Sequence, residues 1–178
     1  MRIFSNHCRR FEYRVTAASP CAVTLAPSDI GVTRSFFDCL LLTVAVQPGD
    51  LALTGDAVGI VKRIAARTGS AYIVIDGFTQ WAEALDRRGP AADFDVLTGL
   101  ADALDVLADL TERLEERGER VHLMPFGWNK IQHAEVTDGR WARYVTDVRH
   151  DTHRIPSRTP AWSLTPRVRM PCARTHQL

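Results

Sequence analysis

Apolar and polar positions change their period several times along this chain, and each change predicts an element. Phe11, Tyr13 and Val15 alternate with Glu12 and Arg14, the period-two signature of a half-buried strand. Arg2–Ser5 reads as a shorter strand before it, joined through the polar segment Asn6-His7-Cys8-Arg9-Arg10 to make a hairpin. Residues 17–36 hold Pro20, Pro27 and Gly31 and read as a long loop, a kind of segment that tends to be functional or mobile. Cys39–Val46 is a continuous apolar run suited to a strand buried on both faces. Thr54–Arg67 repeats Val58, Val61, Ile64 and Ala65 at helical spacing, with Thr54 as expected N-cap and Gly69 as C-cap. Ala71–Asp76 is a second buried strand, and Trp81–Leu85 forms at most one helical turn before Gly89-Pro90.

The strongest periodicity lies in Phe94–Arg117. Leu97, Leu100, Leu104, Leu107 and Leu114 are expected to line one face of a helix, with carboxylates opposite and Gly118 as the stop. Val121–Met124, Ile131–Val136 and Trp141–Val148 complete the pattern as strands. Thr137-Asp138-Gly139 between the last two is a hairpin signal. The order is therefore mixed α/β: a mixed sheet with two main helices and β-hairpins at both ends.

Length and charge refine this picture. The 178 residues fit one domain of ordinary size, which we place at 1–150. Residues 151–178 carry four prolines and little periodicity. The net charge of +1 conceals a balance of −3 over residues 1–150 and +4 over the rest, so a basic tail could meet a polyanion. No apolar run approaches a membrane span and no apolar leader follows the first residues. A cytoplasmic protein without membrane contact is expected, with Cys8, Cys21, Cys39 and Cys172 as thiols.

Candidate chemistry is sparse. Six His and four Cys form no metal-ligand spacing, no nucleophile elbow is present, and no glycine-rich phosphate loop occurs. No metal or cofactor is expected. The segment Met124-Pro125-Phe126-Gly127-Trp128-Asn129-Lys130 is more informative. A Pro–Gly turn between strands is ordinarily structural. Yet the chain holds 20 Arg and only two Lys, Lys62 and Lys130, so a lysine beside Trp128 points to a compact, rotatable cation that guanidinium does not replace. His7 is ordinarily a hydrogen-bonded structural residue. The competing reading places Asn6-His7-Cys8, Asp76-Gly77-Phe78 and Trp128-Asn129-Lys130 around one chamber, because ligands in α/β proteins collect where strands end.

Met1-Arg2-Ile3, His7-Cys8 and Phe11-Glu12-Tyr13, followed by Pro125-Phe126-Gly127-Trp128-Asn129-Lys130, resemble the N-terminal editing domain of archaeal threonyl-tRNA synthetases. That family opens on a strand running into His-Ser, then Tyr-x-Glu-Tyr, and carries Pro-Phe-Gly-Tyr-Tyr-Lys. It shares its fold with D-aminoacyl-tRNA deacylases, whose Ser-Gln-Phe-Thr and Asn-x-Gly-Pro segments are absent here. The resemblance spans about residues 1–150 and implies a D-aminoacyl-tRNA deacylase-like fold, a homodimer, and hydrolysis of the ester on mischarged threonine tRNA. It implies no metal and no protein nucleophile: a positioned water attacks with help from the tRNA ribose hydroxyl. Lys130 would hold that water and the aminoacyl group. Ile75 and Gly77 would give main-chain contacts, and Phe126 would pack near the terminal adenosine.

Departures from the family pattern fall on the wall facing the amino acid. Its Tyr-Tyr is Trp128-Asn129 here, its pocket His is replaced by Phe78, and its last-strand Glu falls near Arg143 or Tyr144. His7, Phe78, Trp128 and Asn129 thus join Lys130 as candidate substrate contacts. With no synthetase body attached, the chain would act in trans, as stand-alone fluorothreonyl-tRNA deacylases of this kind do. A fluorinated or otherwise modified threonine is expected as the acyl group, ahead of serine. D-aminoacyl-tRNA deacylation and a non-catalytic tRNA- or protein-binding module are the alternatives.

Overall fold

β1 (Arg2–Ala18) is the axis of the molecule, a single 17-residue strand that pairs along both edges. The computed structural model describes residues 1–79 and 96–149, with Val96 described by its backbone alone. The expected turn at Trp81–Leu85 and the tail from residue 151 lie outside them. In chain order the elements are β1, β2 (Arg34–Val46), α1 (Thr54–Thr68), β3 (Tyr72–Thr79), α2 (Val96–Glu116), β4 (Val121–Leu123), β5 (Trp128–Val136) and β6 (Arg143–Asp147). The architecture is mixed α/β: six strands in one mixed sheet with two helices. Among the described residues no helix is long and apolar enough to cross a membrane.

Strand order is β4-β3-β2-β1-β5, with β6 also on β1. β2 runs antiparallel to β1, while β2–β3 and β3–β4 are parallel, as the intervening helices require. The free edge of β1 is shared end to end. β6 pairs with Arg2–Asn6 and β5 with Cys8–Ala18.

Neither terminal hairpin forms as the sequence suggested. The first is one strand because Asn6–Arg10 lacks a Gly or Pro to turn the chain. Instead the register on β5 shifts between Cys8 and Arg10, leaving Arg9 as an extra residue, while Asp38 opposite takes φ 49°. Aspartate is among the residues that tolerate this conformation. The irregularity reverses which side chains face which side. Ile3 lies on the helix side with Leu40, Leu42 and Val44; beyond Arg9, Phe11, Tyr13 and Val15 lie on the opposite side with Leu41 and Val74. β5 and β6, expected as a hairpin, bond to β1 rather than to one another.

α1 and α2 cover the helix side. Val58, Val61 and Ile64 of α1 and Val106, Leu107, Leu110 and Leu114 of α2 bury against Ile73 and Ile75. Leu97 departs from its expected role: it is 73% exposed, one turn short of the core stripe. Gly69 caps α1 as expected, in the left-handed region at φ 71° with its N–H on the Ala65 carbonyl. Thr54 does not act as N-cap, a place held by Leu53. Its hydroxyl instead meets the Leu51 carbonyl and the Asp109 carboxylate of α2. The Met1 side chain is buried and its ammonium contacts Asp50 Oδ1 at 2.8 Å; Asp50 Oδ2 accepts the Gln47 N–H at 2.7 Å.

Candidate active site

Period-two alternation decides which side chains can meet. On β3, Val74 belongs to the cluster opposite the helices, so Asp76 and Phe78 face that side too. On β5, Lys130 pairs with Val15 and Gln132 with Tyr13, both partners belonging to the same cluster. The two strands are separated by β2 and β1, yet the sheet curls enough to close the gap. Lys130 Nζ donates to Asp76 Oδ1 at 2.7 Å, and Gln132 Nε2 donates to Asp76 Oδ2 at 2.9 Å. The Lys130 side chain is 8% exposed and that of Asp76 20%. Both carboxylate oxygens are thus engaged, and the lysine leaves its strand opposite Val15 of the apolar cluster.

Beside this pair lies a second polar contact. Tyr13 Oη and His122 Nε2 are 2.6 Å apart. Their rings and those of Phe36 and Tyr72 form a continuous aromatic layer, with Phe36 and His122 centroids 4.8 Å apart and Arg120 over Tyr72. Burial pushes the Tyr13 phenol up to about 12, with Arg34 opposing the rise and Asp76 and Asp29 adding to it. Burial holds the His122 imidazole below its ordinary value, and Arg34 lowers it further. With the imidazole neutral, Tyr13 Oη and His122 Nε2 share one hydrogen bond whose donor is set by the tautomer.

That arrangement has a pH signature. As pH falls through 6.5 the unfolded chain protonates His122, whereas the folded chain, with its value lowered, does not. The unfolded state then binds more protons, so this contribution to stability is complete above 6.5 and is lost as pH falls toward the folded value. His122→Gln, which does not titrate and can still hydrogen-bond Tyr13, is expected to flatten the stability–pH slope between roughly pH 7 and 5. Urea midpoints across that range check it, and an unchanged slope would exclude His122 as the source.

The remaining sequence candidates divide by face and depth. His7 pairs with Leu40 and so faces the helix side. Its Nε2 lies 2.8 Å from Asp38 and its Nδ1 3.2 Å from Thr137, so the expected sharing of a chamber with Lys130 does not occur. The parity reversal at Arg9 is the physical reason. Asn129, between Trp128 and Lys130, is exposed and faces away from Asp76; its carbonyl accepts from Thr16. Trp128 packs on the correct side, with its indole N–H donating to the Val23 carbonyl at 2.8 Å. Phe126, expected near an adenosine, is 6% exposed and sits in the helix-side core.

Ile75 is fully buried and its carbonyl accepts the Met124 N–H. Gly77 faces α2, where an added Cβ would lie 2.2 Å from a Leu107 methyl; its small size serves close helix–sheet packing. Phe78 is half-buried on the Asp76 side. Asp76 entered the sequence reading only as a neighbour of Gly77, and Gln132, Tyr13 and His122 not as contacts at all. A charged residue ending an apolar strand, and the two-residue step from Lys130 to Gln132, were the available signals.

Among the described residues no group of three or more His, Cys, Asp and Glu is placed to hold a metal ion. Comparison with models of known protein families gives no match to this chain, and comparison with curated proteins gives none either.

Proposed function

We propose that this chain is a trans-acting aminoacyl-tRNA deacylase that hydrolyses mischarged threonine tRNA as a homodimer. The observation that supports this reading best is the nearly buried Lys130 ammonium, held by Asp76 beside Gln132 where β3 approaches its end. An ammonium has three donors, and Asp76 takes one. The other two can hold a water and the carbonyl oxygen of an ester, the oxygen on which negative charge grows during attack. A fixed donor in a partly dry site stabilises that charge more effectively than solvent does. The ester is already activated, and the ribose hydroxyl of the tRNA can assist the water, so orientation supplies much of the rate. No protein nucleophile takes part.

The acyl group is assigned to a fluorinated or otherwise modified threonine, ahead of serine. Fluorine for hydrogen changes size little, so selection rests on polarity and fit, worth about 1–3 kcal/mol. The test is single-turnover deacylation of tRNA carrying serine, threonine, 4-fluorothreonine or D-tyrosine. Lys130→Ala is expected to slow the preferred reaction about 10²-fold, in line with loss of one oxyanion donor, and Lys130→Arg to restore little of it. Unchanged turnover in Lys130→Ala overturns the assignment. Rapid loss of serine alone removes the analogue preference, and loss of D-tyrosine alone transfers the protein to the D-aminoacyl class. The closed Lys130–Asp76 pair also suits a second reading, a non-catalytic binding module, in which aminoacyl-tRNA is retained and its lifetime is not shortened.

A further inference from the structure

We propose that Asp76 receives the free α-ammonium of the acyl group, so that the site selects esters of unblocked amino acids; this rests on the deacylase reading. β3 is apolar through Ile73, Val74 and Ile75, all at most 1% exposed. A carboxylate in the next position is costly there unless it is paired. Pairing with Lys130 meets that need, but it does not explain the unequal depth of the two groups. Asp76 is 20% exposed against 8% for Lys130, so an approaching cation meets the carboxylate before it meets the lysine.

Chemistry favours the same assignment. An aminoacyl ester brings an ammonium two bonds from its carbonyl carbon. A lone lysine close enough to polarise that carbonyl would repel the ammonium. An ionised carboxylate offers about four acceptor positions, of which Lys130 and Gln132 occupy two. The remaining positions can take the α-ammonium while Lys130 keeps its hold, giving a two-point grip: carboxylate on amine, ammonium on carbonyl oxygen. No other carboxylate of the described residues bonds to Lys130 or Gln132 in this cluster. Phe78, two residues along the same face, leaves the neighbouring position to an apolar group.

The test compares threonyl-type tRNA esters with a free and with an N-acetylated α-amine, in the wild-type full chain and in Asp76→Asn. In parallel, calorimetry measures binding of the non-hydrolysable 3′-threonylamino-3′-deoxyadenosine and its N-acetyl form. Wild type is expected to favour the free amine about 10–100-fold in both readouts, the preference fading as pH rises through the pKa of the amine. Asp76→Asn should reduce that ratio to near one, and Asp76→Glu should restore part of it. If Asp76 only positions Lys130, the variant slows both esters alike and the ratio stands; that result overturns the inference, as does equal use of both esters by wild type. Absence of hydrolysis together with an Asp76-dependent amine preference in binding removes the deacylase reading and leaves the ammonium site.

Discussion

Asp50→Ala is expected to destabilise the protein by about 3–5 kcal/mol, the range seen when one partner of a buried ion pair is removed. The Met1 side chain is buried and its ammonium bonds Asp50 at 2.8 Å; the Asp50 side chain is 7% exposed. Without the carboxylate the ammonium of Met1, a residue packed in the helix-side cluster with Leu53, loses its counter-ion. The Gln47 N–H loses its acceptor as well. Asp50→Asn keeps an acceptor for one of the two donors and is expected to cost less. Urea denaturation of the three proteins checks the order. A loss below about 1 kcal/mol for Asp50→Ala would place the pair with exposed salt bridges, which contribute little.

Gly127→Ala is expected to cost about 2–5 kcal/mol, from two independent sources. Its φ is +75°, where a side chain adds roughly 1–2 kcal/mol of strain. Its Cβ would also lie 2.5 Å from the Cys21 carbonyl oxygen and 2.6 Å from the Ala22 Cα. These are backbone atoms, fixed by bonds from the Ser19 N–H to the Gly127 carbonyl and from the Val23 N–H to the Phe126 carbonyl. Overpacking against such a wall costs roughly a further 1–3 kcal/mol. Gly118→Ala supplies the comparison, since it has a similar φ of +84° but nothing within 4 Å, and should lose only the strain part. Thermal melts of both variants decide it; equal shifts would mean that the Cys21–Ala22 segment yields freely.

How far the sequence reveals this molecule depends on which interaction sets each feature. Local patterns were readable: α1 and its glycine cap, the apolar strands that became β2 and β3, and the long amphipathic α2. Where a long-range contact competes with local propensity, the reading failed. Thr54 looks like a cap but spends its hydroxyl on Asp109, and Leu97 fits the leucine repeat yet lies before the helix reaches the sheet. Lys130 stood out by composition. Its partner did not, because the Lys130–Asp76 contact spans 54 residues and two intervening strands. His7 was expected to share a chamber with Lys130; alternation counted back from Phe11 would put it on that side, but the extra Arg9 reverses the parity before His7 is reached.

A strand of 17 residues measures roughly 55 Å, longer than most domains of this size require. β1 uses that length to serve both cores in succession, and its reversal at Arg9 is where it passes from one to the other. The Met1–Asp50 pair anchors the start of this stave, while Tyr13 and Val15, far along it, flank the polar cluster. The helical layer and the polar cluster on the opposite face are therefore joined by one continuous strand as well as by side-chain packing.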